Sequence, residues 1–352
     1  MPHDLIHHTL ERNHIPHNVR EYIKELYSKT TSKVITNSFH SDPFSFKKGV
    51  TQGDPLSPII FLLTFQPIID FLIQNENSGV GINGKKVITL PYADDFCLIT
   101  TNMRTQQKLI DQINTHIQSM GMMLKPSKCR SYSCRSGKPS QTPFHIGDID
   151  IPSIAVEEQK FLGKVLFFSG KSSETLEYFK SVISDKLSNI DSSMVRKEYK
   201  MWMYQHYFLP SIRFLLTVHD ITETHLAVLD SICNKHIKKW SGVPRSGTNL
   251  VFHMQQGLGL HSIKSLYEET HALNHSSMRL KGDNVVNAVL DNAISRESQL
   301  VRKRSSVVQA ETTHNKALDM HLQESENQSL SQHIGTKGSK TVINAVKGNI
   351  KK

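Results

Sequence analysis

The sequence predicts an α+β fold in which a region mixing short strands with amphipathic helices precedes a wholly helical one. Three observations carry this. Apolar residues recur at helix spacing over 1–28, 56–74 and 105–120, with turn-bounded strand segments between and after them as far as about residue 165. From about residue 172 to 280 only helix spacing recurs. After about Val301 the chain turns polar and poor in aromatics. The predicted organisation is therefore 1–168, 169–280 and a polar, weakly helical or disordered tail over 281–352.

The elements follow in order. Leu5, Ile6 and Leu10, then Val19, Tyr22, Ile23 and Leu26, mark two short helices separated by Pro16. Residues 32–48 alternate more like strands, with a turn at Ser41-Asp42-Pro43. Gly49 to Pro58 is a loop punctuated by glycine and proline, and the apolar run Leu56 to Gln74 is long enough for a helix despite Pro67. Asn83-Gly84 predicts a hairpin within 80–87, because both residues tolerate positive φ. Strands are expected over about 86–91 and 96–100, with Tyr92-Ala93-Asp94-Asp95 between them. A helix over 105–120 should stop at Gly121. Beyond a stretch of short strands over 129–165, helices are expected at 172–190, at 195–218 with an interruption at Pro210, and at 223–240. Weaker helical candidates lie at 261–280 and 284–303.

Composition narrows the class. With 352 residues the chain has room for about two domains. No run of 18 consecutive apolar residues occurs, so no membrane span is expected. Met1-Pro2-His3-Asp4 opens without the pattern of a secretory signal. The four cysteines are too few for a disulfide scaffold, and an intracellular setting, nuclear or cytoplasmic, is expected. Net charge is +10, distributed as −1 over residues 1–100, +7 over 101–250 and +4 over 251–352. A basic middle and end beside a near-neutral start point to a polyanionic partner, although a basic solvated surface has the same composition.

Two segments carry chemistry. Asp94 and Asp95 are adjacent carboxylates at a tight turn between apolar strands. Like charges this close disfavour each other unless a cation lies beside them, and oxygen ligands suit Mg²⁺ or Mn²⁺. An ordinary exposed hairpin tip is the alternative. Upstream, Gly49-Val50-Thr51-Gln52-Gly53-Asp54-Pro55-Leu56-Ser57-Pro58 opens the apolar helix. Its glycines permit close approach of backbone to a ligand, and a helix start offers N–H groups to phosphate; a helix-capping loop is the bland reading. Cys129, Cys134 and His145 lack the spacing of a zinc finger, and no His-Glu-x-x-His pattern occurs.

In this order, the two segments resemble a reverse transcriptase of the non-LTR (LINE-like) retrotransposon family. Lys47 to Pro58 is similar to the family's motif B and Tyr92-Ala93-Asp94-Asp95 to motif C, the catalytic hairpin. Leu124-Lys125-Pro126-Ser127-Lys128-Cys129 after a helix is similar to motif D, and Phe161-Leu162-Gly163 to motif E, the primer grip. Trp240 to Leu260 resembles the stretch after the thumb. The resemblance covers roughly residues 1–280 and implies a polymerase palm followed by a thumb-like helical region.

It further implies RNA-directed DNA polymerisation, with Mg²⁺ or Mn²⁺ as cofactor and an RNA template, a DNA primer and deoxynucleoside triphosphates as partners, without a membrane. By the same resemblance, Asp94 and Asp95 are the metal-binding catalytic pair and Lys128 a catalytic lysine acting on pyrophosphate, with a solvated surface lysine as its alternative. Gln52 and Gly53 would face template and nucleotide. Tyr92 would sit near the nucleotide and primer end, unless it is a core strand tyrosine. Lys235, Lys238 and Lys239, at i, i+3 and i+4, would meet the nucleic-acid backbone, a solvated helix face being the alternative.

The family's third metal carboxylate, in motif A, and its fingers precede the segment resembling Pro2-His3-Asp4-Leu5-Ile6. This reading therefore expects an N-terminally truncated domain, inactive alone, with strand edges left exposed by the missing strand. A non-catalytic nucleic-acid-binding remnant and a protein-interaction domain are the alternative functions.

Overall fold

A computed structural model of the chain describes residues 1–156, 159–254, 256–298, 312 and 314–316. Two compact units make it up, Met1–Ser133 with Ser140–Ser153, and Cys134–Pro139 with Ile154–Lys352.

In the first unit, α1 (His3–Arg12) and α2 (His17–Lys29) flank Pro16 as predicted. The expected strands over 32–48 reduce to two-residue pieces, β1 (Thr31–Ser32) and β2 (Phe44–Ser45). Helix α3 (Ser57–Gln74) runs through Pro67. Hairpins β3 (Val80–Ile82) with β4 (Lys85–Val87) and β5 (Thr89–Tyr92) with β6 (Asp95–Leu98) follow. Asn83 and Gly84 have φ of +44° and +75°, the signature of the type I′ turn that the Asn-Gly pair predicts. Helix α4 (Met103–Ser119) starts at Asn102, whose Oδ1 accepts the N–H of Arg104 at 2.8 Å. It ends at Gly121 with φ +66°. A Cβ there would stand 2.7 Å from Pro2 Cγ, so glycine is required by space as well as by φ.

Two clusters share α3 as a wall. Ile60 packs with Ile6, Leu10, Ile23 and Tyr27 of α1 and α2. Phe65, Ile68 and Leu72 pack with Ile88 and with Leu109, Ile113 and Ile117 of α4. This helix also corrects an expectation. By length and composition Ser57–Gln74 is apolar enough to cross a membrane, because its polar residues Thr64, Gln66, Asp70 and Gln74 are dispersed and never lower the average far. Counting uninterrupted runs missed it. One such helix is weak evidence of a span, since a core helix passes the same test, and this one lines both clusters.

Further ladders are β7 (Ser133–Arg135) with β8 (Lys138–Ser140), β9 (Phe144–Ile146) with β10 (Ile149–Ile151), and β11 (Gln159–Phe161) with β12 (Lys164–Leu166). Among the described residues every sheet has two strands. Such ribbons are marginal alone and depend on helices packed against them.

The second unit is otherwise helical. α5 (Ser172–Ser192) is followed by α6 (Lys197–Met203), a π-turn (Tyr204–Phe208) and α7 (Leu209–Val218), with Pro210 in the first turn of α7. Then come α8 (Glu223–Ser241), α9 (Leu250–His253), α10 (Ile263–Leu280) and α11 (Asn284–Ser298). One cluster joins α5 to α10, built on Phe179, Leu187, Tyr204, Phe208, Leu229 and Ile237. Most of the polar tail expected after α11 lies outside the described residues.

Asp191, in the last turn of α5, ties this unit together. Its Oδ1 accepts Trp240 Nε1 at 2.6 Å, and its Oδ2 accepts Lys239 Nζ at 3.1 Å and faces His236 Nδ1 at 3.0 Å. Lys200 Nζ donates to its carbonyl at 2.7 Å. Burial alone would raise this carboxyl, but hydrogen bonds from Trp240 and Lys239, with the charge beside it, outweigh burial and hold it below the usual range. A depressed carboxylate stabilises the fold above its unfolded pKa of about 3.9, and that stability is lost as pH falls through the lower folded value. Denaturant titrations followed by tryptophan emission should therefore show stability falling below about pH 4. Asp191→Asn should be less stable at pH 7 and show a smaller acid loss. A variant as stable as the parent at pH 7 would contradict the role given to this carboxylate.

Candidate active site

The β5–β6 register pairs Thr89 with Leu98, Leu90 with Cys97, Pro91 with Phe96 and Tyr92 with Asp95, which leaves Ala93 and Asp94 as a two-residue turn. Ala93 has φ +53° and Asp94 does not share the positive sign. Positive φ at the first turn position alone is the type II′ pattern, whose usual first residue is glycine. The tight turn places Asp94 at the tip and Asp95 at the first position of β6, both exposed. Neither carboxylate is paired with a cation among the described residues. Ile99 N–H donates to Ile88 O at 2.7 Å and extends the ladder away from the tip. The outer edges of β5 and β6 have no partner strand among the described residues.

The hairpin is anchored through Phe96, one residue from the carboxylates, and at its base through Ile88 and Leu98. Phe96 packs on Phe65 of α3 with ring centroids 6.0 Å apart, and Phe65 stacks on Phe61 at 5.6 Å. Tyr92 is 65% exposed, which excludes the reading of it as a core tyrosine.

The glycine-rich loop leads into the same helix. Gln52 and Gly53 are exposed, and Gly53 has φ +93°. Asp54 Oδ1 accepts the Leu56 N–H at 3.0 Å, and its carbonyl accepts Ser57 N–H at 3.1 Å. The helix start that seemed open to phosphate thus already carries a carboxylate. An anion there satisfies the N–H groups and repels a second one.

Lys128 ends a single 3₁₀ turn, Pro126–Lys128, and is exposed in the first unit. Phe161, Leu162 and Gly163 belong to the second unit, where Leu162 and Gly163, with φ of +48° and +81°, turn β11 into β12. A Cβ on Gly163 would stand 2.5 Å from Phe214 Cε1, so the turn lies directly against α7. Lys235 is exposed on α8. The other two lysines of that face are engaged internally. Lys238 Nζ donates to the carbonyls of Arg245 at 2.8 Å and Gly247 at 2.7 Å, and Lys239 holds Asp191. They anchor a loop and a helix end before they can meet a phosphate.

Asp94 and Asp95 are of the right chemistry for a hard divalent cation, since carboxylate oxygens are its preferred ligands. Two exposed carboxylates are nevertheless too few. Among the described residues no group of three or more His, Cys, Asp or Glu side chains could hold a metal ion, which also covers Cys129, Cys134 and His145. The donor set in hand does not amount to a cation site.

Sequence reasoning missed two half-buried acids, Asp191 and Asp230. Asp230 of α8 accepts the N–H groups of Ile263 at 2.6 Å and Lys264 at 3.2 Å, capping α10 from outside, and burial raises its carboxyl above the usual range. A weak signal existed in each case, an acid on a helix otherwise rich in buried apolar residues.

Ala93 stores strain at the tip. An L-residue with a Cβ at positive φ costs on the order of 1 kcal/mol, and a β-branched one more. Ala93→Gly should therefore raise the thermal midpoint of the first unit slightly, and Ala93→Val should lower it by the equivalent of about 1–3 kcal/mol. Calorimetry of the two variants checks this, and equal midpoints for both would contradict it.

Comparison with known proteins now bears on this geometry. Residues 1–166 match the family described as reverse transcriptase (RNA-dependent DNA polymerase). A Retrovirus-related Pol polyprotein from type-1 retrotransposable element R2 of Nasonia vitripennis is 26% identical over 274 residues, which is 74% of this chain and 26% of that protein. The polyprotein from type-2 retrotransposable element R2DM of Drosophila melanogaster is 24% identical over 277 residues, 75% of this chain and 25% of its own length. The chain thus spans about a quarter of the length of these two relatives. Its exposed carboxylate hairpin and glycine-rich loop both fall inside the matched region, residues 1–166, which is similar to reverse transcriptases, and three quarters of the chain is similar to part of the R2 retrotransposon Pol polyproteins.

Proposed function

We propose that this chain is the palm and thumb portion of a retrotransposon reverse transcriptase, built for RNA-directed DNA synthesis on an RNA template and DNA primer. The observation that carries the reading is the placement of Asp94 and Asp95 at the exposed tip of a two-residue turn inside the matched region. In this reading Asp94 and Asp95 would contribute two of the ligands of divalent cations, Mg²⁺ or Mn²⁺, and such cations would supply positive charge for nucleotidyl transfer once the ligand set is completed. Tyr92, Gln52 and Gly53, all exposed on the same unit, face nucleotide and template, and Lys128 neutralises pyrophosphate. Phe161 to Gly163 grip the primer from the second unit. The +7 balance over residues 101–250 supplies the attraction for phosphates.

The same reading makes the 352-residue chain a poor polymerase by itself. Two carboxylates leave the cations short of ligands, and no third acid stands with them among the described residues. A deficit of even about 4 kcal/mol at the transition state is about a thousandfold in rate. That observation also favours the second reading, a chain that binds nucleic acid without catalysis.

Purified chain offered a primed RNA template, deoxynucleoside triphosphates and Mg²⁺ should bind and not extend. Affinity should fall with salt at a log–log slope near −0.9 per neutralised phosphate, the B-form value. Extension that Asp94→Ala abolishes would overturn the inactivity. Absence of binding at low salt would overturn the nucleic-acid reading altogether.

A further inference from the structure

The two tryptophans of this chain have opposite environments. Trp240 is 3% exposed and spends its N–H on Asp191. Trp202, on α6, is 60% exposed. An indole exposed together with neighbouring aromatic rings offers a flat surface on which another planar group can stack. Tyr199, one turn earlier, and Tyr207 are also more than half exposed.

Trp202 forms one wall of a cavity of about 410 Å³, completed by Met201, Gln205, His206 and the Leu258–Leu260 loop. That volume lies within the range of small-ligand sites, about 300–1,000 Å³. The His206 ring lies 4.8 Å from the indole with an interplanar angle of 33°. The π-turn underneath fixes this face. Tyr204 and Phe208 are fully buried and stacked at 5.2 Å, which leaves Trp202 and His206 together on the outside. Turns of this kind are uncommon and concentrate at functional sites. Gln205 Oε1 accepts the His261 N–H at 3.0 Å, so its NH₂ remains as a donor at the cavity wall. Arg196 and Lys197, both exposed, stand at the start of α6, and Glu198 is the single acid between residues 194 and 207.

We infer that this cavity takes an unpaired nucleobase of a single-stranded nucleic acid, stacked on Trp202, with its phosphates toward Arg196 and Lys197. A flat aromatic wall with one amide donor suits a base, and the two exposed cations at the start of the same helix suit the phosphates of its backbone. A purely apolar peptide would leave the donor and the cations unused. Aromatic stacking of bases tolerates any sequence and adds to the phosphate attraction. The inference rests on the nucleic-acid reading above and is independent of the chemistry at Asp94 and Asp95.

The test uses the full chain and four labelled probes: oligo(dT), oligo(U), an abasic strand of equal length and a blunt duplex. The parent should bind the strands that bear bases more tightly than the abasic one. Trp202→Ala should weaken oligo(dT) or oligo(U) binding about 5- to 100-fold, with the abasic strand and the duplex unaffected within about twofold. Trp202→Phe should retain most of the preference. The parent's tryptophan emission should be quenched by oligo(dT) and not by the abasic strand, and Trp202→Phe, which emits from Trp240 alone, should not respond. Duplex binding with no preference for bases over abasic sites would overturn this inference and leave the proposed function standing. So would Trp202→Ala binding all probes like the parent, which would leave the face to a protein partner. No binding of any probe would overturn both.

Discussion

Phe65 of α3 meets Phe96 of the β5–β6 hairpin at 6.0 Å, and the arrangement of the candidate active site depends on that contact. A two-stranded ribbon has little stability of its own. Here Phe96 beside the tip, with Ile88 and Leu98 at the base, fixes it to a helix that also forms a wall of both apolar clusters of the unit. The tip can then carry what a free ribbon would relax away, a positive φ at Ala93 and two neighbouring carboxylates in solvent. The glycine-rich loop enters the same helix from its N-terminal end, where the Asp54 carboxylate accepts the N–H of Leu56 just ahead of the first turn. Both segments singled out by their chemistry thus converge on α3. Its apolar composition, which by itself also satisfies the criteria for a membrane span, serves here to hold them.

Much of this was legible in the sequence because its determinants are local. Pro16 divides α1 from α2, Asn83-Gly84 turns a hairpin through paired positive φ values, and Gly121 stops α4. The Asp94-Asp95 tip was readable from two apolar strands around a short polar insert. What was not legible depends on partners distant along the chain. Asp191 meets Trp240 across 49 residues, and Asp230 reaches the start of α10 across 33. No periodicity announces either. Lys238 and Lys239 show the same limit from the other side. Their spacing places them on one helix face, but it could not reveal that the Arg245–Gly247 loop and Asp191 already engage them. The strands expected over 32–48 failed for a related reason. Alternation predicts a strand only where a partner exists to receive it, and here the ladder is two residues on each side, with isolated bridges at Ile35–His40 and Pro2–Lys48.

The two units use their charges differently. In the first, the acids at the hairpin tip are exposed and unpaired with cations among the described residues. In the second, half-buried acids are consumed in fixing helices, and the exposed aromatic residues of α6 follow two exposed cations at its start. A site for hard cations and a surface for a polyanion need these opposite treatments, because a carboxylate already bound to lysine is a poor metal ligand and an indole already buried cannot stack on a base.

The central proposal is that the tip is a cation-directed pair of carboxylates with no third acid beside it among the described residues. Titration with Mn²⁺, read by paramagnetic broadening of backbone amide signals, tests it most directly. The account predicts weak, millimolar-range binding, with broadening confined to the tip around residues 92–96 and abolished by Asp94→Asn with Asp95→Asn. Tight stoichiometric binding at the tip would contradict a site of two acids alone, and broadening centred elsewhere would contradict the assignment of the site.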